Sequence, residues 1–214
     1  MTDSEIMLEH EEFSKLVSIS RKREEKSTSR LVLNEINWFI SNSEDLSKYQ
    51  GYYFRYFYSF GYPQMITRSL VHISCRDGVY FWRNIEVLKD PQTKKRIGTN
   101  KYRGIVLFIA DRINIIEYEA LERTSITQVI LYPCHRRSID WLTGVQTGGP
   151  RRRGRKPSAS ALALEYLGTH VNVYTELRRV GLFHPDDADV PHRALELLQT
   201  EVTFGTHALE VSEP

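Results

Sequence analysis

Tyr49-Gln50-Gly51-Tyr52-Tyr53-Phe54-Arg55-Tyr56-Phe57-Tyr58-Ser59-Phe60-Gly61-Tyr62 decides the fold. Nine of these fourteen residues are Tyr or Phe, side chains that pack well on a pleated surface and are enriched in strands. Strand-like runs continue from there, near 52–60, 66–75, 79–88, 102–110, 112–119, 125–132 and 139–146. Gly61-Tyr62-Pro63 breaks the first pair. Arg76-Asp77-Gly78 places Asp-Gly, the strongest short hairpin signal, between two apolar runs. Ala110-Asp111-Arg112 reads as a tighter turn, and 89–100 as a polar loop. Short strands joined by hairpins predict a mainly antiparallel sheet or barrel-like core.

Helical patterns flank this core, so the expected class is α+β. Ile6, Phe13, Leu16 and Val17 recur at helical spacing in 1–26, and Val32, Ile36, Phe39 and Ile40 could share one face of a second helix. Residues 147–158 form a Gly/Pro/Arg linker. Ala159 to Leu167 is ambiguous, and alanine favours helix there. Val173, Leu177 and Val180 mark one C-terminal helix, and Ala194, Leu197 and Leu198 another. The expected organisation is a helical segment 1–48, an antiparallel β domain 49–146, a basic loop 147–158 and a helical cap 159–214.

Composition narrows the function. Over 214 residues, 41% are hydrophobic and 26% charged, which fits a globular chain. The net charge of +2 confines any nucleic-acid site to a local patch. No apolar run in the strand-rich centre approaches a bilayer span, and Met1-Thr2-Asp3-Ser4-Glu5 carries no apolar leader, so a cytoplasmic, non-membrane chain is expected. Cys75 and Cys134 do not make a disulfide framework.

Four constellations could carry chemistry. His72 and Cys75 stand three apart, which on a regular strand puts them on opposite faces. A thiolate nucleophile is therefore disfavoured, and both cysteines read as small buried apolar residues. His184, Asp186, Asp187, Asp189 and His192 crowd one segment, but Asp-rich capping of a helix-to-helix loop explains them as well as a metal does. No catalytic residue, metal or cofactor is assigned. Arg151, Arg152, Arg153, Arg155 and Lys156 form a basic arm that could contact DNA phosphates. Arg155-Lys156-Pro157 resembles an AT-hook core interrupted by a lysine. Finally, Tyr52, Phe54, Tyr56, Tyr58 and Phe60 share one strand face and Tyr53, Arg55 and Phe57 the other. Arg68 and His72 fall on one face of the next strand, and Tyr80, Trp82 and Glu86 on one face of the third. Tyr52, Tyr56, Tyr58, Arg68, His72 and Trp82 are taken as the ligand-binding set, with Arg68 as anion anchor.

The stretch from Gly51 to Gly168 resembles the C-terminal, non-DNA-binding domain of bacterial helix-turn-helix regulators of the XRE type. The similar elements are Tyr52-Tyr53, Tyr56-Phe57-Tyr58, Arg68-Ser69-Leu70-Val71, Arg76-Asp77-Gly78, Tyr102-Arg103-Gly104-Ile105-Val106-Leu107, Ile130-Leu131-Tyr132-Pro133, Leu142-Thr143-Gly144 and Leu164-Glu165-Tyr166-Leu167-Gly168. The resemblance implies a bacterial, transcription-associated regulatory module that senses a ligand or mediates assembly; a homodimer formed through the N-terminal helices is a further option. Residues 1–50 lack the short helices and tight turn of a DNA-binding domain. The expected function is therefore non-enzymatic sensing, with DNA contact through the basic arm as one alternative and an enzyme of unknown reaction as another.

Overall fold

Alternation of inward and outward side chains builds the larger part of this protein. The computed structural model describes residues 33–62, 64–90, 93, 95–149 and 156–199. The chain divides into two units, Met1–Ser43 and Glu44–Pro214. In the first, residues 33–41 form helix α1, and the Asn42 backbone and side-chain amides both donate to the Trp38 carbonyl. The helix expected over 1–26 lies outside the described residues.

In the second unit a short 3-10 turn, Ser47–Tyr49, precedes eight strands: β1 Gly51–Tyr58, β2 Ile66–Arg76, β3 Val79–Lys89, β4 Arg96–Ile109, β5 Arg112–Glu119, β6 Ile126–Leu131, β7 Trp141–Gly148 and β8 Ser158–Gly168. Each pairs antiparallel with the next, and β8 returns to pair with β1. The result is an eight-stranded antiparallel barrel, which leaves no open sheet edge around the ring. Asp77 and Gly78 take φ of 52° and 76°, as the two-residue Asp-Gly hairpin demands. Ala110 and Asp111 adopt the same left-handed region without glycine, at 54° and 56°.

Two expectations are corrected. The segment expected as helix over 159–167 is strand β8. Leu162 and Leu164 point into the barrel, while Ala161 and Ala163 lie buried on its outer side. Small outward residues and branched inward ones satisfy a wall covered on both sides, so tertiary packing overrides alanine's helix propensity. The polar loop expected at 89–100 is shorter than that. Residues 96–100 extend β4 and pair with β3.

Two cores follow. Tyr53, Val71, Ile73, Trp82, Val106, Ile113, Ile115, Val129, Leu131, Leu142, Leu162 and Leu164 fill the lower half of the lumen. Leu46 and Tyr49, from the turn before β1, close that end. Tyr49 is held by its hydroxyl, which accepts from the Cys134 amide at 3.1 Å. The second core lies outside the barrel. Helix α2 (Val173–Arg179), strand β9 (Gly181–Phe183) and helix α3 (His192–Leu198) cover the outer face of β1, β2 and β8. Asn172 caps α2 by accepting from the Thr175 amide at 3.2 Å, and β9 pairs with the start of β2.

Candidate ligand site in the barrel lumen

The upper half of the lumen is polar. Arg55 on β1 and Glu117 on β5 are both almost wholly buried and meet at 2.7 Å. The second Glu117 oxygen accepts from the Trp82 indole N–H at 2.6 Å. The other Arg55 nitrogen donates to Gln146, and Gln146 donates to Ser160 at 3.0 Å. Glu86 on β3 accepts from the Asn100 amide at 2.9 Å. Burial pushes the Glu86 carboxyl above the ordinary carboxylate range, against the pull of Asn100 and Arg55. The Arg55 Nε, the Ser69 hydroxyl and both ends of the Asn84 amide are buried without a hydrogen-bonding partner of normal geometry. Asn84 nevertheless lies close enough to Glu86 to favour its ionised form.

Above this layer lies a cavity of about 370 Å³, within the range of small-molecule sites. Arg55, Glu86, Glu117 and Gln146 lie at its polar base. Phe57, Phe60, Tyr62 and Tyr102 supply rings, and Glu119 and Glu122 stand among its lining. Glu119 is committed to structure: its oxygens accept from the amides of Leu121 at 2.9 Å, Glu122 at 2.6 Å and Arg123 at 3.0 Å. These amides hold its carboxyl below the usual range despite its burial. The lining carries four carboxyl groups and one guanidinium among the described residues, and no His, Cys or Lys.

The sequence-selected ligand set is split between two faces: on the outer wall Tyr52 lies directly opposite His72 and Tyr56 opposite Arg68, whereas Trp82 stands apart from them. Trp82 lies in the lumen. Tyr52, Tyr56, Tyr58, Arg68 and His72 lie on the outer wall. Tyr52 and His72 stack face to face at 4.2 Å. Tyr56 is buried beneath the C-terminal elements and donates to Glu165 at 2.7 Å, and Tyr58 is exposed. Arg68 is a structural pin. Its Nε donates to the Arg179 carbonyl at 2.7 Å and its Nη1 to the Asp189 carbonyl at 2.6 Å. Cys75, expected to be buried, is exposed, and Cys134 is half-buried; both are free thiols. Among the described residues, no cluster of His, Cys, Asp and Glu could hold a metal. Within the basic arm, Lys156 is exposed, while Arg151, Arg152, Arg153 and Arg155 lie outside the described residues. The residues bracketing that segment, Gly148 and Ser158, pair with each other at the mouth of the lumen.

The residues missed were Arg55, Glu86, Glu117, Asn100, Tyr102 and Gln146. The signal lay in parity. Glu117 and Glu119 share their strand face with Ile113 and Ile115, so that face had to be inward and its carboxylates had to find partners inside. Arg55, the cation of β1, shares its face with Tyr53 and Phe57, and that face supplies the partner. Set against known proteins, the chain matches no family model, no curated protein and no solved structure.

Proposed function

We propose that this chain is a non-enzymatic sensing module that binds a small organic cation in the mouth of its barrel. The observation that carries this reading is the charge and ring content of the cavity, where four carboxyl groups and four aromatic rings face one guanidinium. Carboxylates and ring faces together attract an ammonium or similar cation. An anion would meet net negative charge, and Arg55 already donates to Glu117 and Gln146. Among the described residues Glu86 accepts one side-chain hydrogen bond of normal geometry, from Asn100, and so is the carboxyl best placed to receive the ligand. Burial raises its pKa, and a cation bound beside it would favour the ionised form. Affinity should then rise with pH as Glu86 ionises more easily. The resemblance to regulatory sensor domains agrees with a role in which occupancy is the signal.

The test is a thermal-shift and calorimetric screen of the full chain against primary and quaternary organic ammonium compounds, with matched carboxylates as the comparison. Cations should raise the melting temperature and bind more tightly at pH 8 than at pH 6. Glu86→Gln and Phe60→Ala should each weaken this on the order of tenfold. A shift from the carboxylates alone, or one untouched by both substitutions, would overturn the reading.

A further inference from the structure

Charge is partitioned by face along β2 to β6. Every carboxylate these strands carry, Glu86, Glu117 and Glu119, points into the lumen, and none of their cations does. The charged side chains that these strands turn outward are therefore all basic, set among apolar ones such as Ile116 and Ile126. One line of directly opposed residues crosses it strand by strand: Tyr52 faces His72, His72 faces Arg83, Arg83 faces Arg103 and Arg103 faces Tyr118. Arg83, Arg103 and Tyr118 are exposed. Neither arginine makes a hydrogen bond or ion pair with any described residue. Like charges directly opposite each other weaken a sheet, so packing gives no reason for the pair. Arg83 also bears on His72: after partial burial, its nearby charge lowers the His72 pKa. Phe81, Ile105 and Ile116 lie on the neighbouring outward row and Lys101 on the other side.

We infer that this row is a docking surface for single-stranded nucleic acid, with Arg83 and Arg103 taking backbone phosphates and Tyr118 offering a ring on which a base stacks. Cations interleaved with flat rings are the recognition chemistry of single strands, where phosphate attraction is joined by sequence-tolerant stacking. Among the described residues this row carries no helix that could enter a duplex groove, whereas a single strand can lay its bases on it. The row shares no residue with the lumen site.

The test is fluorescence anisotropy of the full chain with a labelled oligothymidylate of about 20 nucleotides and a duplex of equal length, at several salt concentrations. The single strand should bind more tightly than the duplex and weaken as salt rises. Arg83→Ser with Arg103→Ser should lower affinity on the order of tenfold and flatten the salt slope by about 1.4, at roughly 0.7 per lost phosphate contact. Tyr118→Ala should cost about fivefold with the salt slope unchanged. Unchanged melting curves would show that the exposed substitutions leave the fold intact. No binding at low salt, equal binding of the duplex, or binding lost only when Arg151, Arg152, Arg153 and Arg155 become Ser would overturn the assignment. So would Tyr118→Ala without effect alongside equal competition by polyglutamate or anionic vesicles, since that would assign the wall to polyanions at large.

Discussion

Arg55 and Glu117 stand diametrically opposite in the ring of eight strands, yet their side chains meet at 2.7 Å across the lumen. The pair, with Trp82 and Gln146, divides an apolar lower half from a polar mouth. Both ions are out of water, so each depends on the other. Arg55→Met alone should cost on the order of 3–5 kcal/mol, because it strands the Glu117 charge. Combining it with Glu117→Leu should recover most of that loss. A double-mutant cycle by denaturant unfolding checks this; additive losses would show that the two residues act independently.

Arg68 should govern how firmly the C-terminal elements hold to the barrel. Its guanidinium lies 4.3 Å from the Phe183 ring centre and 5.3 Å from that of Phe54, and it donates to carbonyls on both sides of β9. Lysine cannot donate in two directions from a planar group. Arg68→Lys should therefore be weaker than wild type, and Arg68→Ala should lose about 3 kcal/mol or more, the lower end of the sum of its two charged hydrogen bonds. Hydrogen exchange should rise within 173–198 in both variants, with the barrel strands still protected.

Glu86 should make stability fall with alkalinity. Its pKa is raised in the folded protein, so the native state keeps a proton that the unfolded chain releases. Stability is then fully present below the ordinary glutamate pKa and is lost as pH rises through the folded value. Glu86→Gln keeps an acceptor for Asn100 and removes the ionisation. Melting temperatures followed from pH 4 to pH 9 should show this decline in wild type and a flatter profile in the variant.

Gly104 and Gly144 should tolerate no side chain. A Cβ on Gly104 would stand 2.1 Å from the Ile116 carbonyl oxygen, and one on Gly144 would stand 1.9 Å from that of Ile130. The obstacles are backbone atoms of neighbouring strands, which cannot move aside as a side chain tip would. Gly104→Ala and Gly144→Ala should each cost about 3 kcal/mol or more, as overpacking at its severe end does. Circular dichroism melts of the single variants read this directly.

Much of the barrel was legible because its local signals agree. The Asp77-Gly78 hairpin, the alternation of β5 and the two C-terminal helix patterns each point to what forms. Strand β8 was not legible, since its alanines are explained by α3 and β1, elements far away in sequence. The candidate site was missed for a related reason. On β1 both faces are aromatic, and the face richer in tyrosine turned out to be the one buried under the C-terminal elements. Only the parity of the carboxylates on β5 could have told inside from outside, because a buried acid demands a buried partner and an exposed one does not.

The pairing of β1 with β8 sets the order of events during synthesis. Tyr56 finds its neighbour Ala163 only after the rest of the wall has been made, so the emerging chain must carry an unclosed, tyrosine-rich sheet until that strand leaves the ribosome. Closure of so distant a contact is slow compared with hairpin formation, and open strand edges invite association with other chains in the interval. Polypeptides truncated before residue 158 should therefore accumulate as aggregates or chaperone-bound species rather than as smaller folded barrels.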